Sequence, residues 1–162
     1  MISKFTIVII VVIALITVLY FTGKKSVHTE ITVSASPENV WRVLTDMDKY
    51  SEWNPVMKLL KGEVKEGNQV TYLFSQDVEN KSEIKVKIVK IESDRLLNQT
   101  GGVSLILTFN HKYKLVPIGD KTKVIIHEDY KGIGVNFWNP KPVEEAYLRL
   151  NESLKKRVES LN

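Results

Sequence analysis

The sequence has 162 residues, a length that suits one domain of ordinary size. It contains no cysteine, so disulfides, thiolate metal sites and cysteine nucleophiles are excluded. The formal net charge is +4, but three of the 23 basic residues, Lys4, Lys24 and Lys25, precede the predicted domain and leave 20 basic residues against 19 acidic ones. Because a nucleic-acid-binding domain carries a marked excess of positive charge, we expect no nucleic-acid partner.

The first predicted element is a hydrophobic helix. Residues 5–21, FTIVIIVVIALITVLYF, contain no charged side chain, and at about 1.5 Å per residue they extend about 25 Å, the short limit of a bilayer span. A cleavable signal peptide is the alternative, but its apolar run is usually about 7 to 15 residues long, and LYFTGKK has no small-residue cleavage site. We therefore expect residues 1–25 to form a single-pass membrane anchor with a basic flank. The two lysines after the span favour the cytoplasmic face for the domain, residues 26–162.

A strand and a short helix open the domain. Alternating apolar residues from Val27 to Val33 predict the strand. Ser36 and Pro37 then provide a helix N-cap and a first helical residue, and an apolar stripe at helical spacing follows in residues 40–47. This helix is expected to pack on the core.

The stretch YSEWNPV, residues 50–56, predicts a stiff corner after the helical segment. Pro55 forces Asn54 into extended backbone, which fixes the corner. Trp53 is interpreted either as part of a cavity wall or as simple core packing. Asn54 is expected to cap backbone groups rather than touch a ligand.

The remainder of the chain predicts an antiparallel meander and a closing helix. Period-two patterns predict strands over residues 57–64, 68–76, 83–91, 95–100, 103–116 and 121–130. Their connections are too short for crossovers, and Gly101-Gly102 is interpreted as one of the turns. From Val143 to Leu161 the apolar residues recur at three and four, which predicts an amphipathic helix on the sheet. The predicted fold class is α+β.

Several motifs together resemble the START-like, or SRPBCC, superfamily, which includes the polyketide cyclase/dehydrase and lipid transport group. They are ITVSASPENVWRVLTDMDKYSEWNPVM, GNQVTYLF, the GDKTKV hairpin and the terminal helix, and the resemblance covers about residues 27–160. It implies a helix-grip fold, in which a curved antiparallel sheet wraps around a long C-terminal helix and a cavity for a hydrophobic ligand lies between them. Such a pattern indicates a fold and not a reaction.

The best candidate for chemistry is a pair of polar residues on the last hairpin. If Gly119-Asp120 forms the loop, His111 faces Glu128 on the apolar side of the sheet, with Tyr113 and Tyr130 nearby. The pair has three interpretations: a self-satisfied structural pair, a polar anchor for a ligand, or a general acid and base. A register slip of one residue would place His111 opposite His127 instead.

The preferred hypothesis is a membrane-tethered, non-enzymatic binding module for a lipid or another hydrophobic small molecule, with a cavity of a few hundred Å³. The alternative is a cyclase/dehydratase-type enzyme acting on a polyketide-like or aromatic substrate, with His111 and Glu128 as catalytic candidates. A third hypothesis is an interaction protein that regulates a neighbouring membrane protein. We expect no cofactor or metal, because the three histidines lack His-x-His or HExxH spacing. The predicted ligand-binding residues are Trp53, Tyr72, His111, Tyr113, Glu128 and Tyr130.

Overall fold

A computed structural model describes residues 3–161. The first helix, α1 (Lys4–Thr22), has no buried residue, and it is long and apolar enough to cross a membrane, with a mean hydropathy of 2.8. Strand β1 (Lys24–Val33) follows after a single residue, Gly23. Lys24 and Lys25, predicted as the basic flank of the helix, therefore lie in the sheet.

Seven strands form one curved antiparallel sheet. Strands β2 to β7 are Met57–Lys61, Gln69–Ser75, Lys81–Glu92, Leu96–Val103, Leu107–Ile118 and Lys121–Lys131. The strand order is β1-β7-β6-β5-β4-β3-β2, so consecutive strands from β2 to β7 pair with one another and β1 pairs with β7 at the edge. The predicted antiparallel meander is confirmed.

Short helical segments connect β1 to β2. They are α2 (Pro37–Thr45), a 3₁₀ helix (Met47–Lys49) and α3 (Tyr50–Trp53). The Ser36 hydroxyl accepts a hydrogen bond from the backbone N–H of Asn39, as expected of an N-cap. Asn54 Oδ1 accepts hydrogen bonds from the backbone N–H groups of Val56 and Met57, at 2.9 and 2.8 Å. Asn54 thus has the predicted role of capping the backbone at the corner.

A 3₁₀ segment (Ile133–Phe137) leads from β7 to the terminal helix α4 (Lys141–Glu159), which packs against the inner face of the sheet. The buried face of α4 consists of Val143, Ala146, Tyr147, Leu150, Asn151, Leu154 and Val158. These residues join the inward side chains of the strands in one hydrophobic core. The predicted helix-grip architecture is confirmed, although α4 ends at Glu159 and Leu161 lies beyond it.

The prediction of a turn at Gly101-Gly102 is wrong. Both glycines lie in β5, and the β5–β6 turn consists of residues 104–106. A Cβ atom added to Gly101 would lie 2.6 Å from the ring of Phe109 on β6, and Gly102 has a φ of 98°. Gly101 therefore permits close packing, and Gly102 permits an unusual backbone angle. Glycine inside a strand commonly has such a role, as an alternative to forming a turn.

Candidate functional site

A buried carboxylate lies at the centre of the candidate site. Glu128 occupies an inward position of β7 between Ile126 and Tyr130, and only 3% of it is exposed. Its Oε2 atom accepts a hydrogen bond of 2.5 Å from the Tyr130 hydroxyl and a second, short one from the Tyr147 hydroxyl of α4. The sheet and the helix are thus joined through one carboxylate oxygen.

The β6–β7 register is the predicted one, because His111 is the direct partner of Glu128. The His111 Nδ1 atom lies 3.7 Å from Glu128 Oε2. The imidazole also makes edge-to-face contacts with the rings of Tyr113 and Tyr147, at centroid distances of 4.6 and 5.2 Å. Its Nε2 atom is buried and has no hydrogen-bond partner among residues 3–161.

The environment of Glu128 favours the ionised carboxylate. Burial alone would raise the pKa of Glu128, but interactions with His111 and the hydrogen bonds from Tyr130 and Tyr147 outweigh it, so the pKa lies below its usual value. Burial and the negative charge of Glu128 raise the pKa of both tyrosine hydroxyls well above the usual value. The tyrosines therefore remain protonated and act as donors to a negatively charged acceptor at neutral pH.

A cavity of about 190 Å³ lies next to this cluster, between the sheet and α4. Its walls are mainly apolar and aromatic, and Glu128 provides a charged group in the lining. The lining residues are Phe74, Gln76, Ile84, Leu107, Phe109, Glu128, Tyr130, Trp138, Val143 and Tyr147. A site of this kind would hold an apolar body and direct one polar group of a ligand to a fixed acceptor.

A second, smaller void of about 20 Å³ lies behind Glu128 and is bordered by His111 and Gln99. Gln99 is the partner of His111 in the β5–β6 ladder. Its Oε1 atom, like His111 Nε2, is buried without a hydrogen-bond partner in the described part of the chain. The void has the volume of about one water molecule, so the polar cluster extends from Glu128 across β6 to β5.

The predicted ligand-binding residues do not all meet at the cavity. Glu128 and Tyr130 border it, and His111 lies directly behind Glu128. Tyr72 and Tyr113 are buried in the core and border neither space. Trp53 is half-buried and borders a separate cleft of about 120 Å³ on the side of Arg42 and Arg157.

Two residues of the cluster were not among the predicted site residues. Tyr147 has the helical spacing of the apolar stripe of α4, so the sequence pattern assigned it to the core. Gln99 stands at an inward position of β5, where an apolar residue is expected. For both residues, the sequence feature that indicates a role in the site is a polar group on an otherwise apolar, buried face.

The family model described as polyketide cyclase/dehydrase and lipid transport matches residues 24–159. The chain belongs to this family. The match begins at β1 and ends at the last residue of α4, so it covers the whole helix-grip domain and leaves out α1. No protein of curated function matches the sequence at a significant level.

Solved structures of the same fold come from bacteria and plants. The Zhui aromatase/cyclase from Streptomyces is 16% identical with a TM-score of 0.65, and the match covers 84% of this chain and 94% of that one. Norcoclaurine synthase from Thalictrum flavum, in complex with dopamine and hydroxybenzaldehyde, is 19% identical with a TM-score of 0.62, covering 86% and 88%. Protein CV1439 from Chromobacterium violaceum is 16% identical with a TM-score of 0.68, covering 83% and 97%. At these identities the likeness shows a shared fold.

Proposed function

We propose that this family member is a membrane-tethered binding module for a hydrophobic small molecule, which occupies the cavity between the sheet and α4 and presents a hydrogen-bond donor to Glu128. The observation that supports this proposal best is the cavity itself. Its walls are aliphatic and aromatic, while an ionised carboxylate held by Tyr130 and Tyr147 lies at one side. Replacing buried charged groups by well-packed apolar residues is often neutral or stabilising, so packing alone does not explain a carboxylate at this position.

The volume of the cavity limits the size of the ligand. At about 190 Å³ it is smaller than the few hundred Å³ expected from the sequence and smaller than most drug-sized sites. It is slightly larger than an engineered cavity of about 150 Å³ that binds benzene. A compound with one ring, or the end of a single lipid chain, therefore fits best. Norcoclaurine synthase, which shares the fold, is described with two one-ring compounds, dopamine and hydroxybenzaldehyde.

The charge of Glu128 determines which polar group the ligand carries. An ionised carboxylate accepts hydrogen bonds and donates none, so a hydroxyl or an ammonium group is favoured over a carboxylate. A hydrogen bond to a buried charge contributes about 1.5–3 kcal/mol, which corresponds to a factor of about 10 to 150 in affinity. Glu128→Gln removes the charge but keeps a neutral acceptor, so it is expected to weaken ligand binding by at most this factor.

The tether in this proposal is α1, which would cross the membrane once. Lys24 and Lys25 follow the span and Lys4 precedes it, and this excess of basic residues after the span favours the cytoplasmic side for the domain. The tether would keep the cavity close to a source of hydrophobic compounds. The domain needs no long linker for this, because β1 starts at Lys24.

The proposal can be tested by identifying compounds that copurify with the full-length chain. The protein is extracted in mild detergent, stripped with organic solvent and analysed by mass spectrometry. Val143→Phe adds a ring inside the cavity, and Leu148→Phe makes the same kind of change on the exposed face of the same helix. We expect a compound of defined mass with the wild type and with Leu148→Phe, and its loss with Val143→Phe. Equal occupancy in the two variants, or no bound compound in any of them, would reject the proposal.

The alternative is an enzyme of the cyclase/dehydratase type, and one observation favours it. The buried Nε2 atom of His111 has no hydrogen-bond partner among residues 3–161, and its Nδ1 atom faces Glu128. A histidine oriented by a carboxylate is the usual arrangement for general acid–base catalysis. The enzyme hypothesis expects His111→Ala to accumulate a bound compound that the wild type converts to a product of different mass. A binding module would release that compound unchanged.

A further inference from the structure

The last turn of α1 is fixed directly to the globular domain. The Gly23 carbonyl accepts a hydrogen bond of 2.9 Å from the backbone N–H of Gly132, and the Asn136 side chain donates to the Leu19 carbonyl at 2.7 Å. The Lys131 ammonium lies 4.7 Å from the centre of the Tyr20 ring. The domain is therefore held at one fixed position relative to the end of the apolar helix, and no flexible segment separates the two.

The β5–β6 turn is attached to the same place. The backbone N–H groups of Ile133 and Gly134 donate hydrogen bonds of 2.9 and 2.8 Å to the carbonyls of Leu105 and Ile106. This arrangement leaves the side chains of the turn outside the core. Four apolar residues around the end of α1 are between 58% and 79% exposed, and we call them the apolar collar: Val103, Leu105, Ile106 and Phe137.

The opposite end of the sheet has a different surface. The turns at that end, which connect β2 to β3, β4 to β5 and β6 to β7, carry charged tips that include Glu66, Asp94 and Asp120. The exposed apolar side chains at that end lie within strands and not at turn tips, and they are 41% to 46% exposed: Leu60, Val116 and Ile118. The β3–β4 turn at the α1 end also carries the acidic residues Asp77 and Glu79, beside Val78, which is 88% exposed. Exposed apolar turn tips, and not a lack of charge, therefore distinguish the end from which α1 emerges.

From these contacts we infer that the apolar collar inserts into the interface of the bilayer that α1 crosses, so that this end of the domain lies on the membrane. The inference rests on the membrane tether of the proposed function. Two features besides the collar favour a lipid surface over a protein partner. The collar is continuous with the end of a helix that has the composition of a membrane span. Lys24 and Lys131, a directly paired couple of exposed lysines on β1 and β7, lie beside the collar where anionic headgroups would be.

The collar also borders the ligand cavity. Leu107 follows Ile106 in the chain and Trp138 follows Phe137, and both Leu107 and Trp138 line the cavity of about 190 Å³. On two separate segments, a collar residue that touches the bilayer would therefore be the direct neighbour in sequence of a residue that lines the cavity.

The experiment uses the absence of cysteine from the sequence. Single cysteines are introduced into the full-length chain by Leu105→Cys, Phe137→Cys, Ile118→Cys and Ile13→Cys, labelled with the environment-sensitive fluorophore NBD, and reconstituted in phosphatidylcholine–phosphatidylglycerol vesicles. Ile118 provides the matched control, since it is an exposed apolar residue at the other end of β6, about 35 Å away along the strand. The label at Ile13 reports whether α1 is inserted.

We expect labels at Leu105 and Phe137 to show blue-shifted emission and strong quenching by nitroxide-labelled lipids, with neither effect at Ile118. If the label at Ile13 is embedded but those at Leu105 and Phe137 behave like Ile118, the collar does not touch the membrane and the inference is overturned while the tether stands. A blue shift at the collar without lipid quenching would indicate burial against protein and would also overturn it. A solvent-exposed label at Ile13 would refute the tether and the inference together, and would leave ligand binding in the cavity intact.

Discussion

The hydrogen bond from Tyr147 to the charged carboxylate of Glu128 can be compared with another buried tyrosine hydrogen bond in the same protein whose acceptor is neutral. In Tyr147→Phe, a buried carboxylate loses one of its two tyrosine donors, and the expected cost is about 1.5–3 kcal/mol of the free energy of unfolding. In Tyr50→Phe, a buried tyrosine loses a hydrogen bond to the backbone carbonyl of Leu44, and the expected cost is about 0.5–1.5 kcal/mol. Both substitutions remove only a hydroxyl, so cavity effects largely cancel in the comparison.

The pH dependence separates the two variants further. The pKa of Glu128 is lowered in the folded state, so its stabilising contribution is present above the unfolded pKa of about 4.3 and is lost as the pH falls through the folded pKa. Because the hydrogen bond from Tyr147 favours the ionised form, loss of this donor is expected to raise the folded pKa of Glu128 toward its unfolded value. The cost of Tyr147→Phe should therefore be largest at neutral pH and decrease in acid, while that of Tyr50→Phe should not change.

Urea unfolding of the full-length chain in detergent, followed by tryptophan fluorescence between pH 3 and 7, measures both costs. A double-mutant cycle of Tyr147→Phe with Glu128→Gln measures their coupling. The reasoning fails if Tyr147→Phe costs no more than Tyr50→Phe at neutral pH, or if the coupling to Glu128 is zero. Either result would mean that the carboxylate does not depend on the helix for its hydrogen bonds.

Three further substitutions test the fold around the site by urea unfolding. Gly101→Ala should cost about 1–3 kcal/mol, because the new methyl group would meet both the Lys85 backbone carbonyl and the ring of Phe109. An unchanged stability would contradict this close packing of β4, β5 and β6. Leu150→Ala should lower the free energy of unfolding by about 2–5 kcal/mol. Leu148→Ala, on the exposed face of the same helix, should lower it by about 0.5 kcal/mol or less. Equal costs would contradict the orientation of α4. Asn54→Ala should cost about 1–3 kcal/mol because two backbone amides lose their acceptor, and a neutral result would show that water replaces the cap.

The register of the last hairpin could be predicted because a two-residue loop determines it. Once Gly119 and Asp120 form the turn, every opposite pair is fixed, and His111 meets Glu128. The alternation of apolar residues then assigns this pair to the inner face, since a slip of one residue would expose the whole apolar set. The same local rules predicted the N-cap at Ser36 and the backbone cap at Asn54.

The remaining parts of the site depend on packing between distant segments, which no local pattern contains. The Tyr147 hydroxyl contacts Glu128 only because the packing of α4 on the sheet brings this residue of the helix opposite Glu128. The small size of the cavity depends on side chains such as Phe109, whose position is in turn permitted by Gly101 on the neighbouring strand. The sequence pattern around Trp53 predicts a corner but not which cleft the corner borders, and in the structure Trp53 borders a different cleft from Glu128.

The polar cluster and the apolar collar are related by their places on the sheet. Glu128 and Tyr130 lie near the end of β7, a few residues before the segment that holds α1 and the β5–β6 turn. Removing a carboxylate from water costs solvation free energy, and hydrogen bonds from two tyrosines offset only part of that cost. A position deep in the core would maximise the penalty without giving a ligand access to the charge. A position beside the cavity, at the end of the sheet that bears the apolar helix, keeps the charge in contact with the space that a ligand would occupy.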